Sequence, residues 1–258
     1  LFAALFSAGC TQSAITLANL PTHFSKMQVH THISYGPDAA HKLDVYTPQK
    51  PEPNAPVVIF FYGGGWHSGS KGYYPFMAQS LVKQGYIVVI PDYRQYPDVT
   101  FPAFMDDAAH ALAWVQQNID TYNGDSDNIA LMGHSAGAHM AALLMADKTY
   151  IKNARTNMNG IQAVIGLAGP YSFTPEEEIY VNIFGPPRRF PQMQVDTFIN
   201  GSEPPMFLAY GLDDTVVHIS NQEKLTEAIE EHGGKVEAKT YTGIGHIGIL
   251  RPFSWAAS

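Results

Sequence analysis

Gly133-His134-Ser135-Ala136-Gly137 is the stretch whose residue types and spacing carry the most chemistry in this chain. It reads G-x-S-x-G, directly after the apolar β-rich run Asn128–Met132 and directly before a helical pattern from Ala138 to about Asp147. A strand-to-helix turn this tight holds a serine in a strained conformation with its hydroxyl projecting from the sheet edge. Glycines two residues to either side let neighbouring backbones approach closely. The helix behind the serine also aims its N-terminal dipole at developing negative charge. A serine hydroxyl is a poor nucleophile at neutral pH and needs a base, itself oriented by a carboxylate. Besides the adjacent His139, three histidines follow Ser135: His218, His232 and His246. His246 lies in Gly243-Ile244-Gly245-His246-Ile247-Gly248, a glycine-rich loop after the last strand pattern, and is the candidate base. His232 ends a helical pattern before Gly233-Gly234, a solvated setting for a cation, and His218 follows Val216-Val217. The carboxylate is Asp213 or Asp214, which follow the strand pattern Met206–Tyr210; two adjacent aspartates cannot both point at one imidazole. Gly63-Gly64-Gly65 ends another buried strand pattern and can turn backbone N–H groups toward an oxyanion with no side chain in the way.

These loops need a scaffold, and the chain around them alternates short β-rich runs with helical patterns. That alternation is the mark of βαβ units on a mostly parallel, doubly wound α/β sheet. Strands are expected at His41–Tyr46, Val57–Tyr62, Tyr86–Ile90, Asn128–Met132, Ile161–Leu167, Met206–Tyr210 and Val236–Tyr241. Val57–Tyr62 is continuously apolar, which suits a strand buried on both faces. Helices are expected at Pro75–Gln84, stopped by Gly85, at Pro102–Ile119 and at Ser220–Glu231. Residues 170–204 are Pro-rich and weakly periodic and read as a small lid, whose Tyr171, Phe173, Ile183, Phe184 and Phe190 are expected to line an acyl or alcohol pocket. Residues 11–30 read as a linker or arm and 31–258 as one catalytic domain.

Composition narrows the function classes. With 45% hydrophobic and 15% charged residues among 258, the chain has material for one large core. A net charge of −8, with no basic run longer than Arg188-Arg189, argues against a nucleic-acid partner, because phosphate binding needs clustered positive charge. No metal or other cofactor is expected. His30 and His32, two histidines without nearby carboxylates or thiols, read as a strand pair. Cys10 is the sole cysteine, so no intrachain disulfide can form. The apolar run Leu1–Gly9 before it resembles the end of a bacterial lipoprotein signal peptide. This implies a lipid on Cys10 and a place in the cell envelope, the alternative being a cytoplasmic protein.

Taken together, the Gly133–Gly137 turn and Tyr62-Gly63-Gly64-Gly65-Trp66 resemble the serine esterases of the α/β-hydrolase fold, in the hormone-sensitive-lipase and carboxylesterase branch, where the loop reads H-G-G-G-W. Pro91-Asp92-Tyr93-Arg94 and Phe101-Pro102-Ala103, opening a helix with Asp106, Asp107 and Trp114, extend the likeness, which spans residues 41–250. Looser similarity runs to kynurenine formamidases and feruloyl esterases. The resemblance implies the chain order serine, acid, histidine. Its pattern G-x-x-D-x-x-V places the acid on Asp214 and leaves Asp213 as a turn residue. It implies oxyanion donors at Gly64, Gly65 and Ala136, and a pairing of Arg94 with a helix carboxylate. Tyr62 stands where the branch has a loop-supporting histidine. The chain stops 12 residues after His246, where the branch usually adds a helix. Either the C-terminus is truncated, or Phe253 and Trp255 cover the core there.

The expectation is therefore a serine hydrolase for small carboxylic esters, short-chain, acting through an acyl-enzyme with Ser135, His246 and Asp214. An amidase or formamidase with the same triad is the alternative, and a non-catalytic binding protein on this scaffold a further one. Loops outside the motifs decide between ester and amide.

Overall fold

Five residues of uninterrupted apolar or β-branched character, Ile87-Val88-Val89-Ile90-Pro91, and seven more in Ala55–Phe61 can be satisfied only where both faces of a strand are covered. They become the centre of an eight-stranded sheet in a computed structural model that describes residues 26–254, with Asn19 and Thr22. In chain order the described elements are β1 (Met27–Ser34), β2 (Lys42–Pro48), β3 (Ala55–Phe61), α1 (Pro75–Val82), β4 (Ile87–Pro91), α2 (Ala103–Asn118), β5 (Gly124–His134) and α3 (Ala136–Ala146). There follow α4 (Lys148–Asn153), β6 (Ile161–Leu167), α5 (Glu178–Phe184), β7 (Met206–Gly211), α6 (Ser220–Glu231) and β8 (Val236–Tyr241).

The strand order is β1-β2-β4-β3-β5-β6-β7-β8. β1, β2 and β4 pair antiparallel, and all pairings from β4 through β3 to β8 are parallel. After β3 the chain winds to one side for β4, then crosses to the other for β5. Loops leaving β3 and β5 therefore diverge at the carboxyl edge and open a crevice between them, the usual ligand position in wound sheets. Register makes this local: Phe61 pairs with Gly133, His134 with Leu167, and Gly211 with Tyr241. The Gly63–Gly65 loop, the Ser135 turn and the loops carrying Asp214 and His246 all emerge at that edge.

Fully buried α3 backs the Ser135 turn, and α2 lies against it. Asp107 on α2 is 0% exposed and is held on every side. Arg94 donates to it from Nε (3.0 and 3.1 Å), from its guanidinium NH2 (2.6 Å) and from its backbone N–H (2.8 Å). His41 lies 2.9 Å away through Nε2 while its Nδ1 accepts from the Asp38 N–H, so Nε2 carries the proton and donates. The carboxylate partner expected for Arg94 is thus Asp107. Asp107→Ala would strand a guanidinium and remove a three-way tie between α2, the segment after β4 and the β1–β2 turn. A loss of about 3–5 kcal/mol in urea unfolding is expected, and a loss below about 1 kcal/mol would contradict the tie.

Three expectations change. Residues 27–30 belong to β1, so the linker does not reach 30: β1 is an edge strand with almost every residue exposed, and its alternation of Met27, Val29 and Ile33 is interrupted by a register shift between His30 and Ile33. The segment 170–204 contains a helix, α5, and helical turns at Pro187–Met193 and Asp196–Phe198. Its Tyr171, Ile183 and Phe184 are fully buried and Phe190 nearly so; they pack as core and do not line an open pocket. After β8, a turn at Gly248–Phe253 buries Ile249 and Leu250, with Phe253 packed beside them. Trp255 and Cys10, with the signal-like run before it, lie outside the described residues.

Candidate active site

Gly133 and Gly137 are glycines because the turn leaves no room for anything else. A Cβ on Gly133 would sit 2.2 Å from the Gly137 carbonyl oxygen, and one on Gly137 would sit 2.0 Å from that of Phe61. With β5 and α3 pressed together in this way, Ser135 is forced to φ 53°, ψ −123°, a region costly for any residue with a Cβ. Its N–H is used by the Leu167 carbonyl at 2.8 Å, while its side chain remains at the crevice.

Two further loops converge on that side chain. His246 Nε2 stands 2.9 Å from Ser135 Oγ, and His246 Nδ1 stands 2.8 Å from Asp214 Oδ2. The other oxygen of Asp214 accepts from the N–H groups of Val216 (2.8 Å) and Val217 (2.9 Å). Burial pushes the Asp214 carboxyl up, but the bond from His246 and the two backbone donors outweigh it and hold the group below the usual carboxylate range. An ionised Asp214 fixes the proton of His246 on Nδ1 and leaves Nε2 to accept from the serine. Asp213 does what a turn residue does: its N–H bonds the Ile244 carbonyl at 3.0 Å. His218 bonds Ser220 at the start of α6, and His232 bonds the Ala228 carbonyl at its end. His30 packs on Tyr122, and the N–H of His32 donates to Asp44.

The glycine loop after β3 is tied from below. The Tyr62 hydroxyl donates to Asp92 (3.0 Å), the Tyr93 hydroxyl donates to the Tyr62 carbonyl (2.9 Å), and Gln95 donates to both the Tyr62 hydroxyl oxygen (3.1 Å) and the Gly69 carbonyl (3.2 Å). The Lys71 N–H also reaches Asp92 at 2.8 Å. Burial, with Tyr93 and Asp92 adding to it, raises the Tyr62 phenol well above its ordinary value, so it remains a donor. Tyr62 thus supports the loop where the resembling branch uses histidine. Gly64 at φ 142° leaves 2.0 Å between a would-be Cβ and the Ser68 carbonyl; Gly65 lies at φ 59°. Among the described residues no acceptor engages the N–H groups of Gly64, Gly65 or Ala136.

Over this loop Trp66 is buried in a cage of rings, parallel to Phe173 at 5.9 Å and edge-on to Tyr180, Phe184 and His139. His139 ties α3 to segment 170–204 through the Met193 carbonyl at 2.7 Å; burial, against that bond, lowers its pKa to about 4. Phe173 and Tyr180 are half-buried rings of segment 170–204, and the Tyr180 hydroxyl lies near Gly65. Sequence reasoning gave no role to Tyr180, Asp92 or His134, although Asp92 and His134 both stood inside quoted motifs.

The comparisons agree with this architecture. A solved structure of a truncated carbohydrate esterase from gut microbiota superposes with a TM-score of 0.78 at 21% identity, over 86% of this chain and 90% of that one, which speaks for the fold. A relative from Oryza sativa subsp. japonica, named a probable isoprenylcysteine alpha-carbonyl methylesterase, is 28% identical over 88% of this chain and 60% of its own length. Esterase LipC of Mycobacterium tuberculosis is 31% identical over 76% of this chain and 54% of its own. The chain therefore spans little more than half the length of the curated relatives it matches. The BD-FAE family model matches residues 43–229, most of the sheet with Ser135 and Asp214 inside it, and the chain belongs to the BD-FAE family.

Proposed function

We propose that this chain hydrolyses carboxylic esters through an acyl-enzyme on Ser135. The observation that carries this reading is the line Ser135 Oγ, His246 and Asp214, with contacts of 2.9 and 2.8 Å, in a chain whose relatives are named esterases. In acylation, His246 Nε2 takes the Ser135 proton as Oγ bonds the ester carbonyl carbon. The carbonyl π electrons move to oxygen, and the oxyanion is met by the N–H groups of Gly64, Gly65 and Ala136. Collapse breaks the bond to the alcohol oxygen, which leaves with the proton from His246. Water then attacks the acyl-enzyme, giving its proton to Nε2, and the acid departs as the proton returns to Ser135.

Short acyl groups are part of the proposal. The lid spends most of its aromatic rings as core and leaves Phe173 and Tyr180 beside Trp66, too little to wrap a long chain. Attachment to the cell envelope through Cys10 is proposed on the sequence alone. The test is hydrolysis of p-nitrophenyl esters from acetate to palmitate, with fluorophosphonate labelling located by mass spectrometry. kcat/KM is expected to peak at two to four carbons and fall at least about tenfold by ten, in line with the roughly 1–3 kcal/mol that each pocket misfit costs. Label on Ser135 without ester turnover would point to an amide substrate. Absence of label would remove the catalytic reading.

A further inference from the structure

His134, the residue between Gly133 and Ser135, is a buried imidazole that the mechanism above does not use. It is 2% exposed. Its Nε2 lies 3.0 Å from the backbone carbonyl of His246, so the proton sits on Nε2 and is donated to that oxygen. The two rings lie 4.8 Å apart. On its other side, Nδ1 faces the glycine loop: a Cβ on Gly63 would come within 2.8 Å of that nitrogen. Nδ1 itself has no partner among the described residues.

The loop that carries His246 has little else to hold it there. Gly243, Gly245 and Gly248 give it wide backbone freedom, and Gly243 lies at φ 74°. Neighbouring bonds secure Ile244, through its carbonyl to the Asp213 N–H, and the Gly248–Phe253 turn, through Ile249 to Gly245. Among the described residues the carbonyl of His246 itself receives one donor, His134, and its own N–H has no acceptor. Ring contacts to Asp214 and Ser135 fix where the imidazole points only if the backbone beneath it is fixed too. A shift of about 1 Å between reacting groups can cost on the order of 100-fold in rate.

We infer that His134 is a positioning residue for the base: its Nε2–H clamps the backbone of His246 to the end of β5, so the serine and its base ride on one strand. Burial, and next the nearby His246 ring, lower the His134 pKa to about 3, so the clamp keeps its neutral, Nε2-protonated form through the working range of an esterase. Packing against Gly63 brings the glycine loop into the same assembly. Base, nucleophile and oxyanion donors are then registered by a side chain that touches none of the reacting atoms.

The proposal rests on the triad reading, and its test separates the two. Three variants are compared with wild type: His134→Phe, which keeps a ring and loses the donor; His134→Gln, whose amide N–H can reach the Nε2 position; and His134→Asn, the same amide one methylene short. The rate of Ser135 labelling by a fluorophosphonate is read with kcat and KM on p-nitrophenyl acetate, and thermal melts verify folding. Expected are falls of about 10- to 100-fold in labelling rate and kcat for Phe and Asn, with KM within about twofold and Gln restored to within about fivefold of wild type. The Gln and Asn pair settles the matter if Phe does not fold. Folded Asn labelling as fast as wild type, or Gln as slow as Asn at equal stability, overturns the clamp. A wild type that does not label overturns the triad and the clamp with it.

Discussion

Ser135→Ala is expected to lower ester turnover by about a million-fold, to whatever the oxyanion donors and binding alone provide, and to leave the fold intact. Removing Oγ deletes the atom proposed to attack, and neither neighbouring element depends on it: the turn is set by Gly133, Gly137 and the 2.8 Å bond from the Ser135 N–H to Leu167. The strained backbone gives a second, independent readout at the same position. At φ 53°, ψ −123° a Cβ is held in a region that costs roughly 1–3 kcal/mol, and alanine keeps that cost. Ser135→Gly relieves it, offset in part by the greater chain entropy of glycine, so the Gly variant is expected to exceed the Ala variant by about 1 kcal/mol in stability. Both variants should be equally inactive. Full activity in either would remove Ser135 from the chemistry; a Gly variant less stable than Ala would show that the turn holds no strain.

The site was legible where chemistry constrains backbone. Gly133, Gly137 and the Gly63–Gly65 run are written into the sequence because a Cβ at these positions collides with nearby carbonyls or side chains, and a strand before with a helix after is visible as a change of apolar period. The same holds for the buried strands β3, β4 and β6, whose continuous or nearly continuous apolar runs are too short for a core helix and too apolar for a half-exposed strand. Asp214 over Asp213 was a family pattern and not a reading of the residues; the structure separates them by what their loop does, one accepting two N–H bonds and facing His246, the other donating its N–H to Ile244.

What stayed hidden was whatever depends on long-range placement. β1 is an exposed edge whose short alternation of Met27, Val29 and Ile33 is broken by a register shift and buries little. The rings of 170–204 looked like a pocket because aromatic residues in a Pro-rich segment serve a lid and a small core equally well in one dimension. Only the contacts among Phe101, Phe104, Phe184 and Trp66 show Phe184 to be core. Asp92 and Gln95, which brace Tyr62, lie some 30 residues along the chain from the loop they support. No local pattern announces a brace of that kind.

Asp214→Asn should cost about 10⁴ in kcat, and the structure supplies the reason in terms of proton direction. An asparagine at 214 is not free to choose its orientation. The N–H groups of Val216 and Val217 both point at the present Oδ1, at 2.8 and 2.9 Å, and only an oxygen can accept them. The amide NH2 is therefore turned toward His246 Nδ1, 2.8 Å from the present Oδ2. Nδ1 must then accept, which moves the imidazole proton to Nε2, where it faces Ser135 Oγ. A base carrying its proton toward the nucleophile cannot receive another without becoming a cation, and the carboxylate that would stabilise that cation is gone. Asp214→Glu, which keeps the charge and lengthens the arm, should lose less, on the order of 100-fold, through misplacement. There is a consequence for stability as well. The folded-state pKa of Asp214 is depressed, so its ionised form stabilises the fold above the ordinary carboxylate value near 3.9, and that contribution disappears as pH falls through the lower folded value. Between pH 6 and the acid limb, wild type should therefore lose more stability than Asp214→Asn in parallel urea titrations, and parallel curves would show that the 214 carboxylate carries no net linkage. Kinetic and equilibrium arms fail separately: an Asn variant within tenfold of wild type would refute the tautomer argument even if the acid limb behaves as expected.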